Sequence, residues 1–281
     1  MNHRRTAVML SAAMLLTGPA YAENTALEGE QQEEEIISEN LSRSEHSGDV
    51  VGSSNAWSAS LSFGFDMNSG NTNSINTNAQ LQGTKKIGRD SIKLILEGSY
   101  GETEVSETSD DGTMNTIDAV TDQQALAFAM YEKRMGRYIV YPFIQLSHNE
   151  ITQIEMRLMT GVGGGYYFIE NDQTELSAVA GTAFVRKDMT TDETDDYGVF
   201  FFALTHKLSL SENSRISEHF EILPRIDDMG DYRLKATASI ETDIWENISL
   251  KFSVKDEYDV EPAEGVDKND LSLSTSLVFT L

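Results

Sequence analysis

Ser217, His219 and Glu221 are spaced by two, so an extended chain puts all three side chains on one face. Nucleophilic hydrolysis needs a base within reach of a serine and a third group to orient it, and this trio supplies the residue types. Any polar strand face yields such a trio by chance, however, and His148, followed by Asn149 and Glu150, stands alone at a strand end. No catalytic residue is assigned. Gly161-Val162-Gly163-Gly164-Gly165 invites a phosphate-loop reading but lacks the Lys-Ser/Thr and the strand-turn-helix setting such loops require. Its glycines are expected to point inward from a strand, leaving room in an interior or easing curvature. The pairs Asp110-Asp111, Asp192-Glu193, Asp195-Asp196 and Asp227-Asp228 offer hard oxygen ligands without the ordered spacing of a calcium loop. No metal and no cofactor are expected. The scarce positive charge is more informative, because Arg225, Arg233, Lys235, Lys251 and Lys255 share one predicted face with Glu221, Glu241, Asp243 and Glu257 on three consecutive segments. Such a wall either guides small anions or acidic sugars, or pairs internally as a plug.

These residues must be positioned by strands. From Trp57 to Met67 apolar side chains alternate strictly with Ser58, Ser60, Ser62, Gly64, Asp66 and Asn68, and Ser69 to Asn73 supply a reversal into a second alternating arm. Twelve such segments are predicted, at 57–67, 74–84, 91–101, 120–132, 137–147, 154–168, 174–186, 197–210, 215–225, 232–245, 248–258 and 270–281. Most exceed the usual globular strand and suit a tilted membrane crossing. Strands ten and eleven set Leu234, Ala238, Ile240, Leu250 and Phe252 against Arg233, Lys235, Glu241, Lys251 and Lys255. A one-residue slip would drive those charges into lipid, so the polar face must be the lumen.

The connections alternate too. The even-numbered ones are short, whereas Glu102 to Ala119, Lys187 to Asp196, Ile226 to Asp231 and Asp259 to Asn269 are longer and acidic. Tyr100, Tyr197, Tyr232 and Tyr258 are expected as one aromatic girdle, and Trp57, Tyr131, Tyr138, Tyr166, Trp245 and Phe279 as the other. The fold class is therefore all-β, a 12-stranded antiparallel transmembrane barrel over 56–281.

The N-terminus supplies the address. Arg4 and Arg5, the apolar stretch Ala7 to Leu16 and Ala20-Tyr21-Ala22 read as a signal peptide over 1–22, cleaved after Ala22. Residues 23–55, with Glu28, Glu30, Glu33, Glu34, Glu35 and Glu39 against Arg43, read as a disordered acidic periplasmic leader. There is no cysteine, and the formal charge of −25 becomes two units more negative once Arg4 and Arg5 are removed. That balance excludes nucleic acid as a partner. The expected location is the bacterial outer membrane, with its lipid, lipopolysaccharide and barrel assembly machinery as partners, and small anionic solutes as candidate cargo.

The chain closes on Ser274-Thr275-Ser276-Leu277-Val278-Phe279-Thr280-Leu281, which resembles the C-terminal assembly signal of outer-membrane barrels, with Phe279 and Leu281 as its determinants. Leu281 stands where an aromatic residue is usual. Together with Trp57, Leu61-Ser62-Phe63-Gly64-Phe65 and Ser69 to Asn73, this strand makes 57–281 resemble the DUF481 family, outer-membrane proteins of the salt-induced YdiY type. The resemblance implies an outer-membrane, stress-linked protein and brings no substrate or catalytic residues. The expected function is a narrow channel for small anionic solutes. The alternatives are a non-conducting envelope protein and, least favoured, a hydrolase.

Overall fold

The computed structural model describes residues 57–69, 74–108, 114–150, 154–190, 194–260 and 268–281. The expected signal peptide 1–22, the leader 23–55, the Asp110-Asp111 and Asp192-Glu193 pairs and the 70–73 reversal lie outside the described residues. Twelve strands follow in order: β1 Trp57–Ser69, β2 Ser74–Ile87, β3 Asp90–Thr108, β4 Met114–Met135, β5 Tyr138–Asn149, β6 Ile154–Glu170, β7 Thr174–Met189, β8 Thr194–Ser209, β9 Ser214–Pro224, β10 Tyr232–Trp245, β11 Ile248–Asp259 and β12 Asn269–Thr280. Each pairs antiparallel with its sequence neighbours, and β1 pairs with β12, Leu61 opposite Phe279 and Phe63 opposite Leu277, to close the barrel. Closure leaves no strand edge, the one way a sheet can sit in hydrocarbon with its backbone satisfied.

Side chains alternate as a two-faced sheet requires. On β5 Tyr138, Val140, Ile144 and Leu146 are exposed, whereas Ile139, Tyr141, Phe143 and Gln145 are buried. On β1 Phe63, Phe65 and Met67 point out and Gly64 points in. The outward set makes the apolar belt. Where a polar residue interrupts it, its hydroxyl is satisfied locally: Thr77, Thr160 and Thr182 donate to the carbonyls of Tyr100, Phe143 and Val199 at 3.0, 3.3 and 3.1 Å. Short reversals at Gly88-Arg89 and Gly136-Arg137 place glycine at φ 66° and 68°, the left-handed region a two-residue hairpin turn needs.

Two expectations are corrected. The segment Glu102 to Ala119 is not one long loop, because β3 and β4 stay paired to Thr108 and Met114 past an irregularity at Gly101/Glu102. Strands of 19 and 22 residues outrun the membrane, and a hairpin standing in water needs no apolar face, so hydrophobic alternation carries no signal there. Tyr197 does not join the outer girdle: it faces inward with Val199, Phe201 and Ala203 and is buried. Its strand reads Tyr197-Gly198-Val199-Phe200-Phe201-Phe202, apolar on both faces, so hydrophobicity could not reveal which parity faces lipid.

Phe252 faces outward near the middle of β11, opposite Ile240. Phe252→Arg is expected to lose about 2 to 4 kcal/mol in urea unfolding from lipid vesicles, and a loss under about 0.5 kcal/mol would mean that this face does not meet hydrocarbon.

Candidate functional site

The lumen has two unlike halves. At the middle of β4 to β8 the inward positions are apolar, with Phe128, Tyr141, Phe143, Met159, Val185, Val199 and Phe201 all buried, and polar residues such as Gln145, Arg157 and Thr205 take over towards the strand ends. The packing follows from register. Tyr141 lies opposite Gly163, Gly163 opposite Gly181, and Gly181 opposite Phe201, so two glycines separate two rings across four strands. Both rings lean over the glycines until their centroids are 6.4 Å apart. Phe143 meets Phe201 edge-on at 5.8 Å and stacks with Phe128 at 6.1 Å, geometries favoured by the ring quadrupoles. A methyl group added at Gly163 would stand 2.5 Å from the Tyr141 ring, and one at Gly161 would stand 2.7 Å from Phe143 Cζ. The glycine run is thus a mid-strand seat for aromatic rings. The room it leaves in the interior is filled, and Tyr141 is 1% and Phe201 2% exposed.

Along β9 to β11 the inward positions carry charged residues interleaved with serines, and those of β12 are mostly serine. Arg215 Nη2 lies 2.6 Å from Glu241 and 3.3 Å from Asp243, which also accepts from Ser249 Oγ at 2.7 Å. Arg233 donates to Asp259 at 2.8 Å. Glu257 serves two ammonium groups, Lys235 at 3.6 Å and Lys255 at 3.4 Å. Lys235 is also opposite the fully buried Glu221 in register, and Lys251 is opposite Glu241. Desolvated charge persists only when paired, so the residues expected to form a basic wall occur together with carboxylates. Arg215 and Asp259 were absent from the sequence expectation, although both have the inward parity of their strands.

At the rim bearing the longer loops, Arg225 reaches Asp227, Asp231 and Asp195 at 3.0, 3.6 and 3.9 Å and stacks 4.4 Å from the Tyr197 ring. Arg157, buried in the lumen, donates to Tyr197 Oη at 3.4 Å. Tyr197 therefore stands between two guanidinium groups, an inward role that its girdle-like position concealed. The hydrogen bond from Arg225 holds the Asp227 carboxyl below the usual carboxylate range, and the same contact raises Arg225.

Other expected residues are placed as follows. His219 is buried, with Nδ1 3.0 Å from Thr205 Oγ1 on β8, while Ser217 lies opposite Ser239 and Lys207 in register. His148 sits at the rim with Nδ1 3.0 Å from the Glu155 carbonyl and Nε2 3.5 Å from Glu150. Among the described residues no group of three or more His, Asp or Glu is arranged to hold a metal ion. Phe279 lies opposite Leu61 and Ile248, and Leu281 is exposed at the chain end, its N–H donating to the Ala59 carbonyl at 2.9 Å.

Twelve antiparallel strands closed on themselves, an apolar outer belt and aromatic side chains at its edge define a transmembrane β-barrel of the bacterial outer-membrane type. The chain belongs to the family described as protein of unknown function, DUF481, whose model matches residues 61–281. Among solved structures, the barrel is similar to the NanC porin, with a TM-score of 0.54 at 10% identity over 79% of this chain and 100% of that one. It is also similar to the translocator domain of the autotransporter NalP from Neisseria meningitidis, with a TM-score of 0.50 at 11% identity over 82% of this chain and 90% of that one. At such identities the likeness shows the fold. No curated protein matches the sequence.

Two outcomes follow from this geometry. Gly181→Ala would press its methyl group on Phe201 and the Val162 carbonyl, and is expected to destabilise the barrel by about 1 to 3 kcal/mol in urea unfolding, whereas Gly98→Ala, whose nearest neighbour is 3.7 Å away, should be close to neutral. The Arg225–Asp227 contact is present at neutral pH and should be lost as pH falls through the depressed Asp227 value. The protection factor of the Arg225 amide, which donates to the Asp231 carbonyl, should fall on that acid limb, and Asp227→Asn should remove the pH-dependent step.

Proposed function

We propose that this protein is an outer-membrane barrel whose lumen is closed at rest, an envelope component that adds a sealed acidic cylinder to the membrane rather than an open porin. The observation that carries this reading is the aromatic layer at the waist, where Tyr141, Phe143 and Phe201 are at most 4% exposed. A conducting pore needs continuous water, and rings seated on Gly163 and Gly181 leave none along that wall. The opposite wall supports the same reading, since Arg215, Arg233 and Lys255 each lie within 3.4 Å of a carboxylate and so present paired rather than free positive charge. No catalytic role is assigned: the nitrogen of His219 that would meet an orienting acid is beside Thr205. The salt- or stress-linked role implied by the family resemblance would then rest on the acidic exterior, in contact with lipid and lipopolysaccharide. Export past Ala22 and assembly through the Phe279 and Leu281 strand belong to the same reading.

A second reading, a narrow path for small anionic solutes, draws on one observation. Lys235 and Lys255 both lie within 3.6 Å of Glu257, and Lys251 follows on the same face of β11, so cations are grouped on that stretch of wall.

Planar-bilayer conductance of the purified barrel separates the two. The closed reading expects no discrete steps from wild type and steps from the Tyr141→Ala, Phe201→Ala double variant. Anion-selective steps from wild type, reduced by Lys251→Gln with Lys255→Gln, would overturn it in favour of the anion path.

A further inference from the structure

Among the described residues, the exposed cations at the short-turn end of the barrel are confined to two neighbouring turns beside the place where the chain enters β1. Lys86 and Arg89 are exposed at the β2–β3 turn, and Lys133 and Arg137 at the β4–β5 turn. The other three turns carry Asp172, Glu212 and Glu246 and no cation. The two basic turns are tied into one unit: Asp90 accepts from Tyr131 Oη at 2.6 Å and from the Arg134 amide at 3.1 Å. Nearby acids are already engaged, Asp90 in that clasp and Glu170 with Arg134, while Glu132 is half-buried. Trp57 lies opposite Lys85, whose ammonium stands 5.8 Å from the indole ring, so residues before Trp57 must start from the edge of this patch.

Those residues carry the complementary charge. Between residue 23 and Trp57 there is one Arg or Lys, Arg43, against Glu33-Glu34-Glu35, with Glu39 and Glu45 flanking Arg43. Asp49 lies eight residues before Trp57, a reach of at most about 29 Å, whereas neighbouring turns two strands apart are about 10 Å from one another. We infer that the basic collar formed by Arg89, Lys133 and Arg137 is the docking surface of this chain's own acidic segment 23–55. The attachment at Trp57 makes the encounter intramolecular, so weak exposed pairs act at high effective concentration. The inference is independent of whether the lumen conducts.

Arg43 provides the readout, because it is the single tryptic site in the segment. The full exported protein, isolated in zwitterionic detergent at low salt, is digested with trypsin and cleavage at Arg43 is timed. Docking predicts cleavage about fivefold slower in wild type than in Arg89→Gln, Lys133→Gln, Arg137→Gln, with the difference abolished at roughly 0.5 M salt. Glu33→Gln, Glu34→Gln, Glu35→Gln should reproduce the faster cleavage with the collar intact. Equal rates in wild type and the collar variant overturn the inference. So does a collar variant that loses retention on phosphatidylglycerol vesicles while its Arg43 rate is unchanged, since that would assign the cations to lipid phosphate.

Discussion

A strand edge in hydrocarbon has no water to bond, so every backbone donor in this sheet must find a neighbouring strand. The pairing of β1 with β12 meets that constraint, and the rest of the structure follows from it. Once the sheet is closed, the two-residue period assigns each side chain to lipid or to lumen, and a slip anywhere would invert an entire strand. Phe63 and Phe65 face out because Ser62, Gly64 and Asp66 face in. Closure also creates an interior that must be either wet or filled.

Inward positions on two stretches of this wall are occupied in two different ways. On the β4 to β8 side, glycines on the two middle strands let rings from β5 and β8 meet over them, removing apolar surface from water on the inside of a sheet whose outside is already in lipid. On the β9 to β11 side the chain uses charge, and Arg215, Arg233, Lys235 and Lys255 each lie beside a carboxylate, the pairing that matters most for the buried Lys235. Arg225 and Arg157 link the two stretches near the rim by engaging Tyr197. The arrangement resembles a protein core more than a conduit, although it lies within a transmembrane cylinder.

How much of this was legible depended on contrast between faces. β1, β10 and β11 pair an apolar face with a polar one, so their orientation could be read from alternation alone and the structure agrees with it. In β5 and β8 both faces are apolar, and Ile139-Val140-Tyr141-Pro142-Phe143-Ile144 carries no sign of which parity meets lipid. That loss of contrast hid the aromatic layer and put Tyr197 on the wrong side. A continuous apolar run within an otherwise alternating barrel was the available signal, since it implies burial on both faces. The inward direction of Gly161, Gly163 and Gly165 was readable, but the rings that occupy their space come from other strands and depend on register. The β3–β4 extension was hidden for the opposite reason, since Glu102 to Thr108 alternates apolar and polar residues only weakly.

If the waist of the lumen is dry, a thiol placed there is out of reach of a charged reagent. Ala203 is fully buried on the inward face of β8, next to Phe201 in the inward series, and the chain has no cysteine of its own. Ala203→Cys in the folded barrel should resist a charged, membrane-impermeant thiol reagent and react only after unfolding. Rapid labelling of the folded protein from both sides of a vesicle would mean continuous water past the rings, and would contradict a closed lumen.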